Sequence, residues 1–125
     1  FPTKIIERAR TVDKMQVVDT EVGCPTYTRD LAIGILELLH VGAKGTFHLT
    51  GQGSCSRYEM ARKTLEFAGL DVPTEAVDGS AFKTKATRPV DGRLDCSKAS
   101  RLGVQLPLWE SSLCDYVNSL VASSN

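Results

Sequence analysis

The chain has 125 residues, 42% of them hydrophobic and 24% charged, with fifteen basic residues balancing fifteen acidic ones. That is one domain's length with enough apolar content to bury a core. The balanced charge, with no long single-sign run, offers no field for nucleic acid or an anionic membrane, and no apolar run approaches the ~20 residues of a membrane span.

Residues 3–11 read as the end of a helix, and Met15 to Asp19 as the first strand, with β-branched Val17 and Val18 at its centre. The turn Gly23-Cys24-Pro25-Thr26 follows. Gly23 has backbone freedom that other residues lack, Pro25 fixes its own φ, and Cys24 before it is pushed toward extended geometry. A rigid turn between a strand end and a helix start is where α/β proteins place ligand contacts, although the same residues can simply make a sharp corner. Thr28 is the expected N-cap of the next helix, and Asp30 meets its positive end. That helix runs to His40, with Leu31, Ile35, Leu38 and Leu39 at helical spacing and Ala32 and Ile33 widening the stripe.

Residues 45–50 (Gly-Thr-Phe-His-Leu-Thr) read as a strand, alternating Phe47 and Leu49 with polar neighbours. Ser56 and Glu59 form a capping box for a helix ending near Ala68, with Gly69 as its stop. Gly51-x-Gly53 has the outline of a dinucleotide fingerprint, with Asp71 about 20 residues on. Ser56 stands at the third glycine position and no clear strand presents Asp71, so the loop reads better as a small-residue turn.

Residues 72–77 read as a short edge strand, since Pro73 cannot sit in a sheet centre. Residues 83–93 form the most basic loop, either solvated or an anion clamp, because guanidinium groups match phosphate oxygens two at a time. A short helix within 94–103 stops at Gly103. A final helix over 107–120 starts at Pro107 and buries Trp109, Leu113, Tyr116, Val117 and Leu120, and the tail from Ala122 should fray. Cys24, Cys55, Cys96 and Cys114 include no Cys-x-x-Cys pair and lie away from His40 and His48. They read as reduced thiols of an intracellular protein, with no metal site.

Three ordered blocks carry a family resemblance. Val17-Val18-Asp19 through Gly23-Cys24-Pro25-Thr26-Tyr27 and Asp30-Leu31-Ala32 form the first. Gly45-Thr46-Phe47-His48-Leu49-Thr50-Gly51-x-Gly53 with Ser56-x-Tyr58-Glu59-x-Ala61 form the second. Arg88-Pro89-x-x-Gly92-x-Leu94-Asp95-x-Ser97-Lys98, Leu102-Gly103 and Pro107-x-Trp109 form the third. Together they resemble the C-terminal half of the dTDP-4-dehydrorhamnose reductases, within the extended short-chain dehydrogenase/reductase superfamily.

The resemblance implies an α/β chain: the C-terminal part of a Rossmann-like NAD(P)-binding fold with the smaller substrate-binding lobe, residues 1–125 forming a single substrate-binding portion. It implies a cytoplasmic reductase of a 4-keto sugar nucleotide, using NADP or NAD, in dTDP-rhamnose or surface-polysaccharide synthesis. The cofactor loop and the catalytic Tyr-x-x-x-Lys pair of such enzymes would lie upstream of Phe1. Here Tyr27, Tyr58 and Tyr116 are followed four positions on by Leu31, Arg62 and Leu120. The chain alone is therefore expected to bind no cofactor and catalyse nothing, its partners being the nucleotide sugar and the missing N-terminal half, with a homodimer left open. Gly23, Pro25 and Thr26, with Cys24 among them, match the turn bordering the sugar-nucleotide cleft, and Arg88 matches an arginine that approaches the substrate diphosphate. Thr20-Glu21 stands where the family has Asp-Gln, and Gly92 where it often has Ser. A non-catalytic regulatory relative and a free-standing binding domain are the competing readings.

Overall fold

The computed structural model describes residues 1–82 and 86–122. Helix α1 (Pro2–Ala9) begins with a proline where a missing N–H costs nothing, and buries Pro2, Ile5, Ile6 and Ala9. Three of these side chains divide between two clusters. Ile5 and Ala9 join Met15, Val17, Ala61 and Leu65, while Ile6 joins Cys55, Trp109, Leu113 and Val117. The helix is thus a wedge holding two parts of the chain together.

Strand β1 (Met15–Val18) turns Met15 and Val17 into the first cluster. Strand β2 (Val22–Gly23) leads through the turn to helix α2 (Thr28–His40). Strand β3 (Cys55–Ser56) runs straight into helix α3 (Arg57–Phe67), and strand β4 (Thr74–Val77) follows. β4 pairs parallel with β1, Met15 opposite Thr74 and Val18 opposite Val77. β2 and β3 form a separate antiparallel pair, Val22 opposite Ser56 and Gly23 opposite Cys55. A one-turn 3-10 helix (Gly79–Ala81), helix α4 (Ser97–Ser100) and helix α5 (Trp109–Ala122) complete the order. The capping box is present in full: the Glu59 N–H donates to Ser56 Oγ at 3.1 Å, and the Ser56 N–H donates to Glu59 Oε2 at 2.7 Å.

Five expectations are corrected. Residues 46–50 form no strand: no neighbouring strand among the described residues offers a ladder, and a strand exists only through its partner. The segment is tied by side chains instead. Lys98 Nζ donates to the Thr46 carbonyl at 2.7 Å and lies 4.2 Å from the Phe47 ring centroid, while Phe47 and Leu49 pack on Leu38, Ala99 and Val104. Thr28 is the first residue of α2, its cap being Tyr27 without a side-chain bond. α2 buries only Gly34 and Leu38, leaving Ile35 46% and Leu39 67% exposed. The final helix starts at Trp109 rather than Pro107, because the Pro107 carbonyl accepts the Gln52 N–H at 2.9 Å and the Trp109 N–H returns to Gln52 O at 3.0 Å. The helix expected within 94–103 shortens to the four residues of α4. Lys83, Thr84 and Lys85 of the basic loop and residues 123–125 of the tail lie outside the described residues.

Candidate functional site

The site is assembled by backbone stitching around β2. Its antiparallel pairing with β3 brings the start of α3 beside the Gly23-Cys24-Pro25 turn. On the other side, the Val22 N–H donates to Val90 O at 2.9 Å, and the Gly92 N–H donates to Val22 O at 2.8 Å. Those two bonds fix the loop that carries Arg88. The result is a cleft of about 330 Å³ whose wall includes Glu21, Gly23, Cys24, Pro25, Arg57 and Arg88, with Phe1, Cys55 and Met60. Four of the five residues singled out in the sequence therefore meet in one depression.

Thr26 does not share it. Its hydroxyl donates to the Cys24 carbonyl at 3.0 Å and accepts the Gly51 N–H at 3.2 Å. It faces a neighbouring hollow of about 260 Å³ lined by Tyr27, Trp109, Leu113 and Tyr116. Thr26 shapes the turn rather than the cleft. The Tyr27 and Tyr116 rings lie 5.5 Å apart at a tilt of 56°, which closes one side of that hollow with apolar surface.

The cleft's charge comes from three side chains. Arg57 Nε donates to Glu21 Oε2 at 2.8 Å, and the Glu21 side chain is only 19% exposed. Arg88 is exposed and has no hydrogen bond or ion pair among the described residues. Arg93 makes the contrast: its Nε and Nη2 both bond Asp91, at 2.9 and 2.7 Å, and hold that carboxyl at about 2, well below its ordinary range. Arg93 is neutralised by its own loop, whereas Arg88 keeps a whole guanidinium for a ligand.

Cys55, on the cleft floor, is not poised as a nucleophile. Burial pushes its thiol up to about 12, with Glu59, Glu110 and Cys24 adding to the rise. All four cysteines are free, and no group of three or more His, Cys, Asp or Glu among the described residues is placed to hold a metal ion. The two arginines give the cleft the means to bind an anion.

The Gly51-x-Gly53 loop does not fit a dinucleotide. The space a Cβ would take at Gly51 is filled by the Pro25 carbonyl oxygen, and at Gly53 the Trp109 ring comes within 3.0 Å of it. Both glycines make room for the protein itself, and no phosphate cradle results. Glu21 was visible in the sequence only as a departure from the family pattern, and Arg57 passed unnoticed. A signal existed in principle, since Arg57 follows the capping Ser56, but its meeting with Glu21 depends on the β2–β3 register.

The family model for the RmlD substrate binding domain matches residues 1–122. Among curated relatives, a dTDP-4-dehydrorhamnose reductase of Sinorhizobium fredii is 30% identical over 124 residues, covering 90% of this chain and 42% of its own. The spore coat polysaccharide biosynthesis protein SpsK of Bacillus subtilis is 29% identical over 117 residues, covering 94% and 41%. The crystal structure of a dTDP-4-dehydrorhamnose reductase from Clostridium acetobutylicum superposes with a TM-score of 0.90 at 32% identity, over 96% of this chain and 43% of that one. Its counterpart from Bacillus anthracis, in complex with NADP, gives 0.85 at 32% identity over 90% and 41%. The chain spans about two fifths of the length of the relatives it matches, and it has the α/β architecture of their substrate-binding portion.

Proposed function

Because the chain belongs to the RmlD substrate binding domain family, we propose that it forms the substrate-binding portion of an NAD(P)H-dependent reductase of a 4-keto sugar nucleotide, a cytoplasmic enzyme of dTDP-rhamnose or surface-polysaccharide synthesis. One observation carries the reading. The Val22 bonds to Val90 and Gly92 bring Arg88, a cation with no partner among the described residues, to the rim of the Gly23–Pro25 turn. A free guanidinium above a rigid backbone turn is built to take phosphate oxygens two at a time.

In this reading the cofactor, NADP or NAD, and the catalytic pair belong to a portion of the protein outside this chain. Two features support such a portion packing here: the exposed apolar residues of α2, and residues 46–50, which have no strand partner among the described residues. Hydride and proton transfer belong to that portion. This chain holds the nucleotide sugar by its diphosphate and orders the Gly23–Pro25 wall against it.

Arg88→Ala in the full-length protein tests the assignment. A charged hydrogen bond is worth about 1–3 kcal/mol, so binding of the nucleotide sugar should weaken by roughly 5- to 150-fold in calorimetry. An unchanged Kd removes Arg88 from the site and with it the main support for this reading.

A further inference from the structure

We propose that Arg57 is a second anion-binding group of the cleft, that Glu21 positions it, and that the pair takes one phosphoryl group of a diphosphate while Arg88 takes the other. The inference rests on the nucleotide-sugar reading above and deepens it by assigning both ends of the anion.

Arg57 is the first residue of α3, set by the capping box one residue before it. Its Nε–H is spent on Glu21 at 2.8 Å. That leaves two Nη groups with four N–H donors, none of which has a hydrogen-bond partner among the described residues. The Phe1 ring lies 5.8 Å from the guanidinium carbon and limits the directions the plane can take. Arg57 and Arg88 stand on different elements, α3 and the 88–92 loop, and both line the same cleft. Two guanidinium groups against one carboxylate leave the cleft one positive charge in excess. Glu21 by itself would repel an anion, but its charge is already taken by the Arg57 Nε–H.

The competing explanation is mechanical: the pair merely staples α3 to β2. With side chains 41% and 19% exposed, an ion pair of this kind contributes little to stability. The two explanations differ in what the ligand feels. In the full-length protein, titrations with dTDP, thymidine and inorganic pyrophosphate, each with a thermal-unfolding control, separate them.

Arg57→Gln should weaken dTDP and pyrophosphate at least tenfold and leave thymidine unchanged. Glu21→Gln keeps an acceptor for the Nε–H and removes the carboxylate charge, so dTDP affinity should hold or rise. Glu21→Ala releases the guanidinium and should cost several-fold in dTDP affinity. Arg57→Gln with unaltered dTDP and pyrophosphate affinity overturns the inference, as does an equal loss for thymidine. If the protein binds pyrophosphate through Arg57 but not dTDP, the anion site stands and the nucleotide-sugar reading fails. If it binds neither, both fail.

Discussion

Cys55 shows how burial, helped by nearby acidic groups, sets the chemistry of a side chain on the cleft floor. The residue is 6% exposed, and its thiol is pushed from an ordinary value of 9.0 up to about 12, by burial first and by Glu59, Glu110 and Cys24 after it. The unfolded chain loses this proton near 9 and the folded chain does not, so the linkage has a definite sign. Stability is fully present below pH 9 and falls as pH rises from about 9 through about 12. Cys55→Ala should flatten that decline in urea titrations between pH 8.5 and 11. Iodoacetamide at pH 8 should leave Cys55 unmodified in the folded protein and modify it completely in urea; equal rates in both conditions would contradict the burial argument. Gly51 makes a second point at the same scale. Its missing Cβ is the space occupied by the Pro25 carbonyl oxygen, so Gly51→Ala must displace the turn. Overpacking of this kind costs about 1–3 kcal/mol, visible as a lower urea midpoint, and ligand affinity should fall with it because Pro25 is part of the cleft wall.

The elements differ in how much of them a single stretch of chain specifies. Ser56 and Glu59 satisfy each other's backbone groups within four residues, so the start of α3 could be read directly, and it forms as read. Ser56 Oγ also donates to Asp19 Oδ1, which ties the cap to the end of β1. Ser56→Ala should therefore cost about 1–2 kcal/mol for the cap, with a further contribution from the abandoned Asp19 contact. The check is a shift of the urea midpoint at constant m-value. Residues 46–50 are the opposite case. Their alternation is that of a strand, but a ladder needs a neighbouring strand, and the described residues supply none, so Phe47 and Leu49 are half-buried against Leu38, Ala99 and Val104 without any strand pairing. The candidate site divides along the same line. Gly23, Cys24 and Pro25 could be singled out because turn sterics are local, and family resemblance pointed to Arg88. Arg57 and Glu21 could not be joined without the register of β2 on β3, and the turn of Thr26 toward the neighbouring hollow could not be read because its bond to the Gly51 N–H closes over 25 positions.

At the scale of the molecule, α2 is the element out of balance. Its apolar spacing is that of a helix with a buried face, yet Ile33 is 49%, Leu36 65%, Leu39 67% and Val41 49% exposed. Only Gly34 and Leu38 are buried, Gly34 so tightly that a Cβ would press on Leu106 and Leu49. Burying a leucine fully is worth about 1.5–3 kcal/mol, so two of them exposed on one helix are stabilisation left unused by this chain. The relatives are more than twice as long, and the proposed upstream portion is the cover that would use it. Leu36→Glu with Leu39→Glu turns this into a measurement. In the isolated 125-residue chain the pair should move the unfolding midpoint by no more than about 0.5 kcal/mol, as surface changes do, and reduce self-association in sedimentation. In the full-length protein the same pair should cost about 3 kcal/mol or more, since it would bury two carboxylates against apolar surface. Equal, small effects in both would mean that α2 faces solvent in the whole protein, and the proposed further portion would then have to pack elsewhere, with residues 46–50, which have no strand partner among the described residues, as the remaining surface.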